Sequence, residues 1–574
     1  MTLEQVLDWF QYHVTLDGKP YTLDADQARA VLDSHKNTLV TARAGSGKTR
    51  VIVAKVAYLV AKCQLDLSNI AIFMFNRTAA TEVNQRIAGI RIDGHPLTSG
   101  PILVASTFHK FALNIVKMTG ERPRIISEAE QSALIQDSLR RAITASGQKV
   151  PPSECADLLK LTASFITRAG QKYCGATGLT ELAHAVQSHL PKLSPRDQST
   201  RIHQLAHASY YYYLEVLRPP RTDFNLLMTS ATDLLEKSAT EQDDPIFQRF
   251  QNLRYILVDE YQDFSYLFFA IVRALRLVCP RAHLFAVGDD WQAINRFAGS
   301  DVDYFLNFTD YFPEDPANIP LLTNYRSDRA IVENANDYML EHYDPTARRA
   351  VPFSKAKGKI TRLDYQKTRF DPSDYAEDRL GDGRYLAALF EALTQNATDS
   401  PVNPTSLSVA SPARIKEYLP IAKLLKSVAR IVKKHPREQF MLLHRHNFTS
   451  VPSITLPVFT LALKNFLARE AILPPAVFDR QIRVLTMHKS KGLESDVVIL
   501  LESNRDQLLS EHPYATIFSI FGDSLTTEEA DQHRLIYVAL TRAKHRLYLL
   551  GNFLQMALAV ISPQPSTPLP TSLL

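Results

Sequence analysis

The 574-residue chain is too long for one ordinary hydrophobic core, which predicts two or more domains. Its 45% hydrophobic and 22% charged residues are typical of soluble globular proteins and exclude the disordered, collagen-like and membrane classes. With 65 basic against 60 acidic side chains the net charge is only +5, which permits a nucleic-acid groove without proving one.

The cysteines and the apolar segments indicate the compartment. The cysteines lie far apart and form no C-x-x-C pair, which argues against a zinc finger or an iron–sulfur cluster and favours a reducing compartment. The amino terminus has no basic region followed by an apolar run, so we expect no secretory signal. The most apolar stretch, residues 266–280, contains Arg273 and Arg276 and is too short for a membrane span. These features predict a cytoplasmic protein.

Short β-branched runs alternate with helical patterns in two regions, and this alternation predicts an α/β fold with two parallel sheets. In the first region the predicted strands are residues 38–42, 70–75, 255–258 and 283–287. In the second region they are 440–443, 482–486, 497–501 and 546–550, with helices near 327–340 and 528–543.

The rest of the chain is assigned by composition. Residues between Thr107 and Tyr255 have mainly helical patterns, which predicts a helical insertion in the first sheet domain. Residues 365–412 are rich in Asp, Pro, Ser and Thr and are expected to form loops around a short helix. The predicted order is 1–110 (first domain, first part), 111–222 (helical insertion), 223–320 (first domain, second part), 321–560 (second domain) and 561–574 (disordered tail).

Residues 42–50, ARAGSGKTR, follow a predicted strand and open a predicted helix, the context of a phosphate-binding loop. The glycines let backbone N–H groups turn toward phosphates, and the helix N-terminus adds positive potential. Lys48 is expected to reach the β and γ phosphates and Thr49 to hold Mg²⁺. The strict motif has Gly where Ala42 stands, and an isolated loop of this kind could be a simple turn. The residues expected to bind ATP here are Ala44, Gly45, Ser46, Gly47, Lys48, Thr49 and Arg50.

An apolar strand ends in two carboxylates at Asp259 and Glu260. Because parallel strands end at a common edge, both should lie beside the phosphate loop. Asp259 suits Mg²⁺, and Glu260 suits the water that attacks the γ-phosphate. A strand that ends in Asp-Glu is often only a solvated strand end. The partner loop is what favours the catalytic interpretation.

Together with the phosphate loop, eight further blocks resemble the motifs of the UvrD/Rep branch of superfamily 1 DNA helicases, in that family's order. The fifth of these blocks, at 287–297, has the DDWQ form associated with the helicase IV group. The blocks are LDADQ at 23–27, FNRTAA at 75–80, STFH at 106–109, VDEYQD at 258–263, VGDDWQAINRF at 287–297, NYRS at 324–327, TMHKSKGLE at 486–494 and YVALTRA at 537–543.

This resemblance implies two RecA-like P-loop domains with ATP bound between them, and it implies roles for side chains. Gln27 would read the adenine edge and Tyr325 would stack on the base, while Glu494 would accept a hydrogen bond from the ribose. Arg326 and Arg542 would place guanidinium groups on the γ-phosphate. Two glutamines, Gln262 and Gln292, would sense that phosphate. For either arginine alone, a surface salt bridge is the alternative.

The family also implies a track for single-stranded DNA across both sheets, contacted by Phe75, Thr107, His109, Phe297 and His488. The chain departs from the usual pattern near Phe297, because Asn295 replaces a tyrosine and Ala298 an arginine. Arg296 is expected to compensate in part for the missing cation.

Two other features have a structural and a functional interpretation. A lysine-rich amphipathic segment at 413–436 is usually a solvated helix face, with nucleic-acid contact as the alternative. The tyrosines at 210–213 favour core packing, since aromatic rings bury large areas.

Two functions remain open on the sequence. The first is a motor that couples ATP hydrolysis to 3′-to-5′ movement on single-stranded DNA and acts on tailed duplexes. The second is a nucleotide-dependent clamp or switch without sustained translocation. The spacing from Arg326 to Thr486 is short for this family, so its large second-domain insertion is expected to be absent or vestigial. Nothing after residue 543 resembles a nuclease, so strand cleavage would require a separate protein partner.

Overall fold

A computed structural model describes most of the chain, and the chain divides in it into two compact units. The first unit comprises Met1–Leu322 and His512–Asp531, and the second comprises Thr323–Glu511 and Gln532–Leu574. The expected tail at 561–574 and most of the expected loops at 365–412 lie outside the described residues. The described residues are 1–97, 105–147, 152–172, 178–189, 196–344, 347–367, 389, 412–447, 449–451, 453–503, 515–522 and 524–551.

The first unit is built on a six-stranded sheet in which every strand pair is parallel. The predicted strands of this region are confirmed, with ends that differ by at most one residue. The edge strand Pro316–Leu321 was not predicted, because its two prolines cannot donate to a ladder and are tolerated only where one side is unpaired. Across the sheet the strands are Pro316–Leu321, Asn37–Ala42, His283–Gly288, Tyr255–Val258, Ile70–Met74 and Ala105–Thr107.

Both faces of this sheet are covered, as parallel sheets require. Alternate residues of one strand enter different cores: Leu284 and Ala286 face one cluster, and Phe285 and Val287 face the other. The helices of this part are Leu3–His13, Ala25–Leu32, Lys48–Ala61, Arg77–Gly89, Phe108–Met118, Phe224–Ser238, Pro245–Phe250, Tyr266–Val278, Asp303–Leu306 and Phe308–Tyr311.

A small antiparallel sheet adjoins this core and was not predicted. Two hairpins form it, each with an Asp-Gly turn whose residues have positive φ, as two-residue hairpin turns require. In sheet order its strands are Lys19–Pro20, Val14–Leu16, Ile90–Ile92 and His95–Pro96.

A helical insertion is present in the first unit, and it begins later than residue 111. Residue 111 lies inside the helix Phe108–Met118, whose Phe108, Phe111 and Ile115 pack into the core of the large sheet. Apolar residues three and four apart place that helix on the sheet rather than in the insertion. The elements of the insertion are Arg124–Ile125, Glu128–Ser146, Pro152–Lys172, Gly178–His189, Arg196–Val216 and Arg221–Thr222.

The insertion has its own apolar core. Tyr212 and Tyr213 are buried in it, which confirms core packing for these members of the tyrosine cluster, whereas Tyr210 is exposed. A segment close to the carboxyl end of the chain completes the core. Ile520 and Phe521, from the helical turns Ala515–Phe518 and Ser519–Phe521, pack with residues of the insertion. These turns lie in the chain between two elements that contribute to the second unit, so the chain returns to the first unit here.

The second unit contains a five-stranded parallel sheet. All predicted strands of this region are confirmed, but the last begins at Ala543, so the preceding helix ends at Leu540 instead of 543. In sheet order the strands are Lys359–Leu363, Ala543–Leu550, Ser495–Leu500, Phe440–His444 and Ile482–Thr486, with a separate pair Thr323–Asn324 and Val351–Pro352. The helices are Arg329–His342, Pro412–Lys434, Leu456–Arg469, Pro475–Gln481 and Leu525–Leu540.

The lysine-rich segment is the helix Pro412–Lys434, and one side of it is central to the core of this unit. Leu425 and Val428 are buried, whereas Lys433 and Lys434 are exposed. The basic face remains available for either interpretation made from the sequence. In the described part of the chain, no helix combines the length and the apolarity that a membrane crossing requires.

We predict that Phe521→Ala loosens the insertion, because the ring is buried beside Phe165 at a centroid distance of 5.0 Å. Truncating a buried phenylalanine costs about 3–5 kcal/mol. Hydrogen–deuterium exchange should rise in the helices Pro152–Lys172 and Arg196–Val216. The exposed Tyr210→Ala is the matched control and should leave exchange unchanged. Unaltered exchange in Phe521→Ala would contradict the conclusion that the segment 515–521 stabilises the core of the insertion.

Candidate active site

The phosphate loop lies at the carboxyl edge of the large sheet, directly after the strand Asn37–Ala42. Gly45 and Gly47 have φ values of 73° and 84°, which residues other than glycine rarely adopt. A Cβ at Gly47 would also lie 3.0 Å from Nε2 of Gln27. The helix Lys48–Ala61 starts at Gly47 without a side-chain cap, so its first N–H groups face the loop. This geometry suits an anion.

A connected set of side chains joins the loop to the two neighbouring strands. Nζ of Lys48 lies 3.1 Å from Oε2 of Glu260, which also accepts a hydrogen bond from Nε2 of Gln262. Oε1 of Gln262 accepts from the N–H of Asp289 at 2.9 Å, and Asp289 in turn accepts from Nε2 of Gln292. The predicted catalytic and sensing residues of the first unit are therefore in contact with one another.

Two backbone features make this connection possible. Gly288 ends the strand His283–Gly288, and a Cβ there would lie 2.7 Å from Oε1 of Gln262. Glu260 has a φ of 51°, in the left-handed region that non-glycine residues rarely occupy. Such strain is tolerated only where the surroundings hold the residue in place, and it often occurs at active sites.

The electrostatics of the site favour a cation. Burial and the adjacent charge of Glu260 raise the pKa of Asp259, and Lys48 opposes that rise only in part. Burial also raises the pKa of Asp289. For Lys48, burial lowers the pKa, but the carboxylates of Glu260, Asp289 and Asp259 outweigh it and raise the pKa overall. The pocket thus holds more negative than positive charge.

These residues fit ATP and a divalent cation. The hydroxyl oxygen of Ser46 is buried and has no hydrogen-bond partner among the described residues, so an acceptor such as a phosphate oxygen would satisfy it. Asp259 is a buried carboxylate of the kind that Mg²⁺ prefers, and Thr49 lies in the first turn of the helix that follows the loop.

The side chains expected near the adenine are ordered by protein contacts. Nε2 of Gln27 donates to the carbonyl of Ser46 at 3.0 Å, and its Oε1 accepts from the N–H of Asp24 at 3.2 Å. The guanidinium of Arg50 donates to the carbonyl of Thr22 and lies 4.3 Å from the ring centre of Tyr21. Gln27 therefore braces the phosphate loop, and its contact with adenine stays a prediction.

In the second unit, the nucleotide-facing candidates gather at the amino edge of the sheet. Nε of Arg326 lies 2.8 Å from Oε2 of Glu494, and Nζ of Lys544 lies 2.9 Å from its Oε1. The buried Arg542 donates from Nε to the carbonyl of Val538 at 2.8 Å. Glu494 is thus held by two cations, which lower its pKa although burial acts to raise it.

Tyr325 is half exposed and has an aromatic neighbour that the sequence analysis missed. The centre of its ring lies 4.8 Å from that of the exposed Phe353. The N–H of Phe353 donates to the carbonyl of Asn324, and the two rings directly follow the paired strands Thr323–Asn324 and Val351–Pro352. An edge strand of two residues carries little sequence signal, so this neighbour could not be predicted.

The nucleic-acid-facing candidates of the first unit differ in exposure. Phe75 is 41% exposed directly after its strand, and Phe297 is 60% exposed on a short turn. His109 packs edge-on against Phe224 at 4.7 Å, and burial lowers its pKa. The hydroxyl of Thr107 is nearly buried and caps the helix Phe108–Met118, because it accepts a hydrogen bond from the backbone N–H of Lys110. The side chain of Thr107 therefore already has a structural role.

In the second unit, His488 follows the strand Ile482–Thr486 at the carboxyl edge of the sheet. Burial and the neighbouring Arg445 and His446 lower its pKa to about 4. The imidazole is therefore neutral at pH 7 and can donate or accept a hydrogen bond rather than act as a cation.

The expectation that Arg296 compensates in part for the missing cation stays a prediction, and in the structure Arg296 forms an ion pair. Its Nε lies 2.7 Å from Oδ2 of Asp531, and both side chains are largely buried. The partner lies 235 positions further along the chain, so no local pattern could reveal it. The carbonyl of Ala298 also accepts a hydrogen bond from Gln171 of the helical insertion. The turn that carries Phe297 is thus held by other parts of the first unit.

A glycine-rich loop and an acidic strand end at the same edge of a parallel sheet define a P-loop ATPase. A model of the UvrD/REP helicase N-terminal domain matches residues 23–313, and a model of the UvrD-like helicase C-terminal domain matches residues 390–552. The chain belongs to the UvrD/REP helicase family. It is a DNA helicase by class, with two RecA-like domains and a helical insertion in the first.

Curated relatives agree with this family. DNA helicase IV of Escherichia coli (strain K12) is 27% identical over 92% of this chain and 68% of its own length. The probable DNA helicase II homolog of Mycoplasma capricolum is 28% identical over 57% of this chain and 42% of its own length. The ATP-dependent DNA helicase PcrA of Staphylococcus aureus (strain Mu50) is 26% identical over 55% of this chain and 39% of its own length. The chain thus spans about two thirds of the length of the first relative and less than half of the length of the other two.

We predict that Phe297→Ala weakens binding of single-stranded DNA by about 1–3 kcal/mol, the value of one base–aromatic stack. Because the ring is 60% exposed, the melting temperature should stay at the wild-type value. Fluorescence anisotropy with a labelled oligonucleotide measures the affinity, and Leu277→Ala, also exposed, is the control. Unchanged affinity together with a lowered melting temperature would show that Phe297 is a core residue.

Proposed function

We propose that this chain is a Mg²⁺-dependent ATPase that moves 3′ to 5′ along single-stranded DNA and separates duplexes with a 3′ tail. The observation that carries the proposal is the continuous contact from Lys48 through Glu260 and Gln262 to Asp289. Asp289 begins a turn that leads within eight residues to the exposed Phe297. A change at the phosphate loop has a direct route to an exposed aromatic ring.

The chemistry follows from the side chains. When bound, ATP and Mg²⁺ supply the γ-phosphoryl group and the charge that neutralises it. Lys48 and the loop N–H groups hold the phosphates, and Thr49 and Asp259 are the proposed cation ligands. Glu260 is placed to orient the attacking water and accept its proton. Gln262 and Gln292 hold the carboxylates of Glu260 and Asp289 in position by hydrogen bonds. Loss of the γ-phosphate is therefore proposed to change the conformation of both strand ends.

The second unit is proposed to complete catalysis. Arg326 and Arg542 would stabilise charge on the γ-phosphate, for which a planar guanidinium is suited. In the described structure Arg326 is paired with Glu494, so engaging a phosphate would require exchange of that ion pair. Tyr325 would stack on adenine, as an exposed aromatic ring on this unit.

A nucleotide-dependent clamp is the second candidate. It is favoured by one observation, the pairing of Arg296 with Asp531, which removes a cation from the turn next to Phe297. A clamp would bind single-stranded DNA under nucleotide control without sustained movement. A separate protein partner, such as a nuclease, remains compatible with both candidates.

We expect Lys48→Ala and Glu260→Gln each to abolish ATP turnover, since the first removes the phosphate-facing cation and the second the group that orients water. Wild-type turnover should rise several-fold with single-stranded DNA. A phosphate-release assay with Mg²⁺ and with EDTA measures both effects. Lys62→Ala, at the opposite end of the same helix, is the control and should remain active. Wild-type turnover in either site variant would remove the basis of the proposal.

The polarity is tested by strand displacement on 3′-tailed, 5′-tailed and blunt duplexes at equal salt. We expect ATP-dependent displacement from the 3′ tail only, and a decline as salt rises, because phosphate contacts release counterions. A preference for 5′ tails would overturn the proposed direction. ATP-dependent binding with neither displacement nor translocation would instead support the clamp.

A further inference from the structure

Arg43 occupies a position of the phosphate loop at which the motif accepts any residue. It is the first residue after the strand Asn37–Ala42, and its N–H donates to the carbonyl of Leu321 at 3.0 Å. Its carbonyl accepts from the N–H of Ser46, which forms the turn of the loop. The side chain is 3% exposed, so a full positive charge is buried where phosphate binding does not require one.

The guanidinium of Arg43 binds three consecutive residues of the neighbouring turn. Its Nη1 lies 2.7 Å from Oδ1 of Asp290 and 3.1 Å from Oδ1 of Asp289. The plane of the group also covers the buried ring of Trp291, with Cζ 3.9 Å from the ring centre. Nη1 makes both carboxylate contacts while the flat face of the guanidinium lies over the indole, and an ammonium has no such face to stack.

With this contact the phosphate loop is joined to the same turn at both of its ends. From its far end, Lys48 connects through Glu260 and Gln262 to the N–H of Asp289. From its near end, Arg43 binds the Asp289 carboxylate. The contacts of Arg43 and Lys48 thus form a closed ring between the phosphate loop and the turn. The conformation of the turn therefore depends on that of the whole loop rather than on one side chain.

Stability alone does not account for this arrangement. Replacing a buried ion pair by well-packed apolar residues is often neutral or stabilising, because the desolvation of the charges is costly. The Asp289 and Asp290 carboxylates are both nearly buried, and Arg43 lies between them. What such a pair supplies is a specific geometry, here of the turn that continues to Arg296 and Phe297.

We propose that Arg43 is a positioning residue that couples the phosphate loop to the residues 289–292, so that bound nucleotide changes the affinity of the adjoining Phe297 segment for single-stranded DNA. This inference rests on the proposed function. In this proposal Arg43 transmits the effect of bound nucleotide to the DNA site, and it contacts neither phosphate nor DNA.

The test is Arg43→Lys in the full chain, which keeps the positive charge but removes the planar guanidinium that lies over the indole of Trp291. The dissociation constant of a labelled oligothymidylate is measured with and without a non-hydrolysable ATP analogue and Mg²⁺, and the ratio is the coupling between the sites. We expect the ratio to move toward one. DNA-stimulated kcat should fall by about tenfold, as for the loss of one hydrogen bond to a charged group. Basal turnover and the KM for ATP should change by less than about twofold.

The matched control is Arg276→Lys, whose side chain extends from the helix Tyr266–Val278 to the other end of the strand Asn37–Ala42. Arg276 also bridges two side chains, with Nη1 2.9 Å from Oδ1 of Asn37 and Nη2 3.1 Å from Oε2 of Glu314. It should leave the coupling ratio at the wild-type value. A wild-type ratio and DNA-stimulated kcat in Arg43→Lys would overturn the inference. A joint loss of ATP affinity, basal turnover and melting temperature would mark Arg43 as purely structural and overturn it too. Absence of ATP hydrolysis in the wild-type chain would overturn the proposed function, and this inference with it.

Discussion

Buried negative charge at the carboxyl edge of the first sheet is the constraint on which the rest of the molecule depends. Asp259, Glu260, Asp289 and Asp290 follow two neighbouring strands, and Lys48 and Arg43 of the phosphate loop form ion pairs with three of them. Burial and the adjacent charge of Glu260 raise the pKa of Asp259, and a bound cation would relieve this crowding. The same crowding requires the loop, the strand ends and any bound Mg²⁺ and phosphate to adjust together.

The second unit separates its candidate functions onto opposite edges of one sheet. Glu494 and Arg542 lie where strands begin, Arg326 is paired with Glu494, and His488 lies where a strand ends. A parallel sheet makes this separation possible, because all of its amino ends share one edge and all of its carboxyl ends share the other. The proposed nucleotide and nucleic-acid contacts of this unit would then lie on different surfaces of one sheet.

The helical insertion is more than an appendage of the first sheet. Its core is completed by Phe521 from a distant part of the chain, and its Gln171 holds the backbone beside Phe297. Ten residues beyond Phe521, Asp531 binds Arg296 of the same turn. The chain then continues to Arg542 through one helix. The exposed aromatic ring is therefore held on one side by the insertion and on the other by the segment that leads to a proposed catalytic arginine.

The sequence by itself determined the α/β class, four strands of each large sheet, the position of the phosphate loop and the family, because these depend on local periodicity and on short motifs. Only the tertiary structure decided what Arg43 and Arg296 bind, that Thr107 caps a helix, that the insertion starts after residue 118 and that Pro316–Leu321 is a strand. Each of these depends on which distant segments become neighbours. The energy of a buried ion pair or an edge strand comes from those neighbours and leaves no periodic trace in the chain.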